Sequence, residues 1–156
     1  MPVKTFNHPI DVAFDLYGIQ EIKGKQDNPM IVAMFDEFGF EGKKLKDETA
    51  WCSVLLNWCC KVAGYPYTGK LNATSWLQWG KKVDTPMWGD LVVLWRGNFK
   101  GEKIPGTEII KGHVGFFITK RNGYIWVLGG NQSNMLRISA YRESRLLEYR
   151  RYEKAA

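Results

Sequence analysis

Lys111-Gly112-His113-Val114-Gly115-Phe116-Phe117-Ile118-Thr119-Lys120-Arg121-Asn122-Gly123-Tyr124-Ile125-Trp126-Val127-Leu128-Gly129-Gly130-Asn131-Gln132 is the stretch that decides the fold. Two runs rich in β-branched and aromatic residues flank Asn122-Gly123, a dipeptide suited to the positive φ angles of a tight hairpin turn. Strands are therefore expected at His113–Thr119 and Gly123–Leu128. Three more runs of the same kind lie at Asp90–Trp95, Met135–Tyr141 and Arg145–Tyr152. Between the first and second of the five, the glycine-containing segment Arg96–Lys111 reads as a long flexible loop that leads directly to His113.

Upstream of the strands the periodicity is helical. Ile10, Ala13, Phe14 and Tyr17 are spaced for one helix face over 9–17, with Pro9 in the first turn. A second helix is expected over 29–38, capped by Asp27 or Asn28, opened by Pro29 and ended by Gly39. A third runs from about Thr49 to Ala63, with Asp47 or Thr49 at its start and Trp51, Val54, Leu55, Trp58 and Val62 on one apolar stripe. A short helix is expected around Thr74–Trp79. Helices followed by a run of neighbouring strands predict an α+β fold, with N-terminal helices packed on an antiparallel sheet of about five strands. The length of 156 residues suits one domain, divided here into a leading helical segment, 1–45, and a core, 46–156.

Composition narrows the function. Hydrophobic residues make up 45% of the chain, which excludes disorder. No apolar run reaches the length of about 20 residues that spans a bilayer, so no membrane insertion is expected. The N-terminus lacks an apolar signal-peptide core, which predicts synthesis as a cytoplasmic chain. The net charge of +6 favours a polyanionic surface such as anionic cell wall. Nucleic acid is not expected, because no recognition motif accompanies the charge. The three cysteines, Cys52, Cys59 and Cys60, have neither disulfide nor metal-ligand spacing, so reduced thiols and no metal or cofactor are expected. Most of the tryptophans are expected in the core, although Trp51, Trp76, Trp79 and Trp88 are candidates to line a groove. His8, just before the first helix, is expected to cap it or lie on the surface.

Cys52 stands near the start of the third helix and, at about 100° per residue, on the flank of its apolar stripe. Only the thiolate is a strong nucleophile, and the N–H groups and dipole of a helix start favour it. The same N–H groups, including that of Cys52, suit an oxyanion formed during acyl transfer. The chain has two histidines, and His113 is the one placed to serve Cys52 as base. A third residue must accept the other ring N–H to fix the tautomer. A two-residue loop at Asn122-Gly123 would set His113 opposite Gln132. A three-residue loop ending in a left-handed Gly123, or a bulge at Gly129-Gly130, would set it opposite Asn131. The reading favours Asn131, with Gln132 the rival as orienter or substrate contact.

Asp47–Trp58, Met87–Leu94 with Trp88-Gly89-Asp90, Gly112–Phe116 and Leu128–Gln132, in that order, resemble the CHAP and NlpC-type cell-wall peptidases, over nearly the whole chain. The resemblance implies a papain-like fold with Cys52 as nucleophile, His113 as base and Asn131 as orienter. Glu48, Trp51, Trp76 and Gln132 are the expected substrate contacts. Where many relatives carry Asp before the cysteine and His or Glu as third group, this chain has Trp51 and Asn131. The expected activity is peptidoglycan hydrolysis by a monomer at an amide bond of the stem peptide or the sugar–peptide junction. A phage lysin or secreted effector would fit that activity. The alternatives are a catalytically silent wall-binding module and a cysteine-dependent acyltransferase or deamidase acting on protein.

Overall fold

The computed structural model describes residues 4–20, 28–40 and 51–154. Asp27, Asp47, Glu48 and Thr49, expected as caps or a substrate contact, lie outside the described residues. Helix α1 (Pro9–Asp15) opens with Pro9, and His8 caps it by accepting from the Ile10 N–H through Nδ1 at 3.1 Å. Helix α2 (Pro29–Glu37) is capped by Asn28, whose side chain accepts from the Met30 N–H at 2.9 Å.

Helix α3 (Trp51–Val62) is more enclosed than its stripe predicts. Every residue from Trp51 to Asn57 is buried, as are Cys59 and Cys60, while Val62 is exposed. The reason is that α3 is packed from both sides, by α1 and α2 on one and by the sheet on the other. Its buried polar groups are used. Ser53 Oγ donates to Lys70 O and accepts from Trp76 Nε1, and Asn57 Oδ1 accepts from the Gly69 N–H. These bonds tie the loop after α3, and a 3-10 helix at Ala73–Gln78, to the helix.

The sheet has six antiparallel strands, β1 (Lys81–Val83), β2 (Leu91–Trp95), β3 (Gly112–Arg121), β4 (Tyr124–Gln132), β5 (Met135–Arg142) and β6 (Leu146–Arg151), in the order β1-β6-β2-β3-β4-β5. The sequence pattern predicts five of them. Strand β1 escapes it because three residues at a sheet edge, mostly exposed, carry no alternation to read. The N-terminal side of β2 is locked by Asp90, which accepts from the Met87 N–H and pairs bidentately with Arg151 of β6 at 2.7 and 2.8 Å. Gly89 (φ 88°) lies against His8, where an added Cβ would come within 2.8 Å of the ring.

Asn122 (φ 53°) and Gly123 (φ 80°) make a two-residue turn, with Arg121 paired to Tyr124. The β3–β4 register then slips by one residue between Phe117 and Thr119, and its pairs end at Phe116–Leu128. A second bulge interrupts β4 against β5 between Gly129 and Gln132. Segment Arg96–Lys111 is not shapeless. Arg96 N–H donates to Lys111 O, Lys111 N–H to Glu102 O and Ile104 N–H to Ile109 O, so the segment folds back on itself as a paired excursion. Ion pairs Lys103–Glu108 and Lys111–Glu102 reinforce it.

Candidate functional site

Alternation along β3 sends Val114 and Phe116 into the core shared with α3, whereas Phe117 packs in the cluster on the other face. His113 shares its face with Phe117, and Cys52 approaches from the α3 side. The backbone N–H groups of Val114, the residue next to His113, of Ser53 and of Cys52 itself favour the Cys52 thiolate. Two glycines of the β4 bulge make this approach possible. A Cβ on Gly130 would come within 2.6 Å of the Trp51 ring, and one on Gly129 within 2.9 Å of Gln132 Oε1 and 3.3 Å of His113 Nε2.

The ring of His113 is fully buried, and its Nε2 lies 2.9 Å from Gln132 Oε1. This corrects the expected pairing with Asn131. The hairpin has the two-residue turn, and the slip at Ile118 moves the register toward Asn131. The β4 bulge then intervenes: Asn131 is left-handed (φ 58°), and Gln132 is the side chain delivered to the ring. Asn131 instead lines the cavity that Cys52 opens into.

The Gln132 amide is oriented by its other partners. Its Nε2 donates to Val127 O at 3.0 Å and to Arg137 O, so Oε1 must be the atom facing the ring, where it also accepts from Tyr141 Oη at 3.1 Å. An acceptor at that position makes His113 Nε2 the protonated nitrogen and leaves the lone pair on Nδ1. Nδ1 is buried and has no hydrogen-bond partner among the described residues, so the ring and the thiol are not joined by a hydrogen bond.

Both groups rest neutral. Burial, and then the Arg96 guanidinium, push His113 down to about 3, against the upward pull of the Gln132 hydrogen bond. Burial raises the Cys52 thiol, and Arg96 and the three backbone N–H groups oppose that rise. Tyr141, with its ring 5.3 Å from that of His113 and its hydroxyl beside Arg96, is pushed up to about 12 by burial. Cys59 and Cys60 are also raised by burial and face the core, away from this chemistry.

The depressed His113 value sets a pH dependence of stability. Between about 3 and the ordinary 6.5, the unfolded chain takes up a proton that the native ring refuses. The contribution is complete above pH 6.5 and is lost as pH falls, by about 1.4 kcal/mol per unit. Urea titrations of the protein and a His113→Gln variant should show their stability difference falling by about 3 kcal/mol between pH 6.5 and pH 4. A difference independent of pH would show that His113 is not held neutral.

Cys52, Asn131 and Arg96 share the wall of a cavity of about 390 Å3, with Asn72, Lys111 and the apolar side chains of Ile104, Ile109 and Ile110 from the paired excursion around it. Trp51 and Trp76 do not reach it as substrate contacts. Both are fully buried, Trp51 under the β4 bulge and Trp76 on Ser53. Trp79 lines a separate groove with Tyr67 and Tyr152, and Trp88 is exposed, stacked on Phe14. Sequence reasoning missed Arg96 and Tyr141. Arg96 was recoverable in principle, since it directly follows β2, whose Leu94 pairs with His113. Tyr141 had no such signal, because it reaches the ring from two strands away.

Among the described residues, no group of His, Cys, Asp and Glu could hold a metal ion, and no helix is long and apolar enough to cross a membrane. No protein-family model matches the chain, and no curated protein matches it.

Proposed function

We propose that this protein is a papain-like cysteine hydrolase of the CHAP or NlpC type that cleaves an amide bond of peptidoglycan, in the stem peptide or at the sugar–peptide junction. One observation carries the chemistry. The fixed Gln132 amide assigns the ring proton to Nε2, so Nδ1 keeps a lone pair, one residue from Val114, whose backbone N–H favours the Cys52 thiolate.

In the reaction, Cys52 transfers its thiol proton to His113 Nδ1 as the sulfur attacks the amide carbonyl carbon. The imidazolium formed keeps its Nε2–H on Gln132 Oε1. Backbone N–H groups at the start of α3 stabilise the oxyanion. Collapse of the tetrahedral intermediate breaks the C–N bond, and the amine departs with the proton from Nδ1. Water, deprotonated by the same nitrogen, then hydrolyses the thioester and restores the thiol. The Sγ–ring hydrogen bond absent at rest is expected to form with substrate bound, as catalytic contacts in empty sites are commonly long. The choice of peptidoglycan rests on the ordered resemblance of four segments and on the basic net charge, which favours an anionic wall.

A silent wall-binding module is favoured by the same unjoined ring and thiol. Mass spectrometry of muropeptides released from purified sacculi separates the two. Hydrolysis predicts fragments carrying a new carboxylate and a new amine at one defined amide, whereas a silent module leaves the sacculi chemically intact and overturns the proposal.

A further inference from the structure

A second cavity, of about 370 Å3, adjoins the first at Arg96 and is lined by His113, Tyr141, Trp95 and Arg145. Arg96 and Arg145 both line it. Arg145 is held rigidly, with its charge 4.1 Å over the Trp95 ring and NH1 donating to Gly97 O at 2.9 Å. Arg96 is half-buried beside the Tyr141 hydroxyl. Neither pairs with a carboxylate among the described residues. Among the described residues, Glu102, which lies against Gly97, pairs with Lys111, Glu143 with Lys120 and Glu148 with Arg150. Two cationic side chains on one cavity wall favour a planar bidentate anion bound between them.

We propose that this cavity is a carboxylate-binding subsite, in which Arg96 and Arg145 hold a free carboxylate of the substrate beside the reacting bond. The inference rests on the reading of Cys52 and His113 as the reacting pair. It narrows the substrate class to peptides that carry an unamidated carboxylate next to the amide that is cut. It also gives substrate a part in the chemistry. Arg96 is one of the two causes that hold the imidazole neutral. An anion seated on Arg96 offsets its field at His113 and so favours the imidazolium that proton transfer from Cys52 creates.

The test uses Cys52→Ala protein, so that binding is read without turnover, and follows the His113 ring signals by NMR. The probes are N-acetyl-alanyl-alanine and its C-terminal amide. The acid is expected to shift the His113 signals saturably and to bind at least tenfold tighter than the amide. Arg145→Gln and Arg96→Gln are each expected to weaken the acid at least tenfold, with Arg145→Lys intermediate. Equal binding of acid and amide overturns the subsite, and needs no arginine variant to fold. Indifference of the acid to both substitutions also overturns it. If the acid is preferred while wild-type protein leaves sacculi intact, the subsite stands and the hydrolase reading falls. If sacculi are cut and acid and amide bind alike, the reverse holds.

Discussion

A Cys52→Ala protein is expected to remain folded and to release muropeptides at least about 10³-fold more slowly than wild type. The fold survives for two reasons. Alanine is the best helix former, and position 52 lies within α3. The sulfur it removes borders a cavity of about 390 Å3 that is already there, so little new void opens in the packed core, and a loss of about 1 kcal/mol is expected. The rate falls because Cys59 and Cys60 lie in the core about two helical turns after Cys52 and cannot replace it. The contrast variant is Cys59→Ala, which should lower the melting temperature more than Cys52→Ala and leave the specific rate within about threefold. Initial rates on sacculi, beside circular-dichroism melts of the same preparations, supply both readings. Hydrolysis persisting in Cys52→Ala at near wild-type rate would sink the mechanism.

The elements of this fold were legible because each obeys a local rule. Pro9 and Pro29 open helices, Asn28 caps one, and Asn122-Gly123 turns the hairpin at its expected place. What could not be read was anything that depends on how elements meet. Trp51 and Trp76 look like groove residues by type, but α3 is covered on both sides and encloses them. The paired excursion at Arg96–Lys111 depends on hydrogen bonds between its own arms, which glycine content does not announce. The site divides along the same line. Cys52 and His113 were named from position within single elements. The orienter depends on two successive irregularities of register, one in β3 and one in β4. A one-residue slip exchanges the side chains presented to a given face, so an error of one in either bulge exchanges Asn131 for Gln132.

Gln132→Leu is therefore the variant that tests the geometry rather than the residue types, and it is expected to lower kcat by about 10²- to 10⁴-fold with little change in KM. Leucine fills a similar volume but cannot accept from His113 Nε2–H or from Tyr141 Oη. The ring then loses the bond that fixes its tautomer and steadies the imidazolium formed during proton transfer. Binding is spared because Gln132 is buried behind the ring, while Asn131 faces the cavity with Cys52. Val127 O and Arg137 O also lose their shared donor, so a stability loss of about 2 kcal/mol accompanies the rate effect. Rates must consequently be taken well below the melting temperature of the variant. Asn131→Gly is the control: glycine accepts the left-handed backbone at φ 58°, and the expected change in kcat is below about tenfold. The pair of results discriminates fully. A large loss in Asn131→Gly with a small one in Gln132→Leu would return the orienting role to Asn131 and mean that the β4 bulge relaxes when substrate binds. A large loss confined to Gln132→Leu fixes the reacting tautomer with Nδ1 as the base, the only nitrogen of the ring left to take the Cys52 proton.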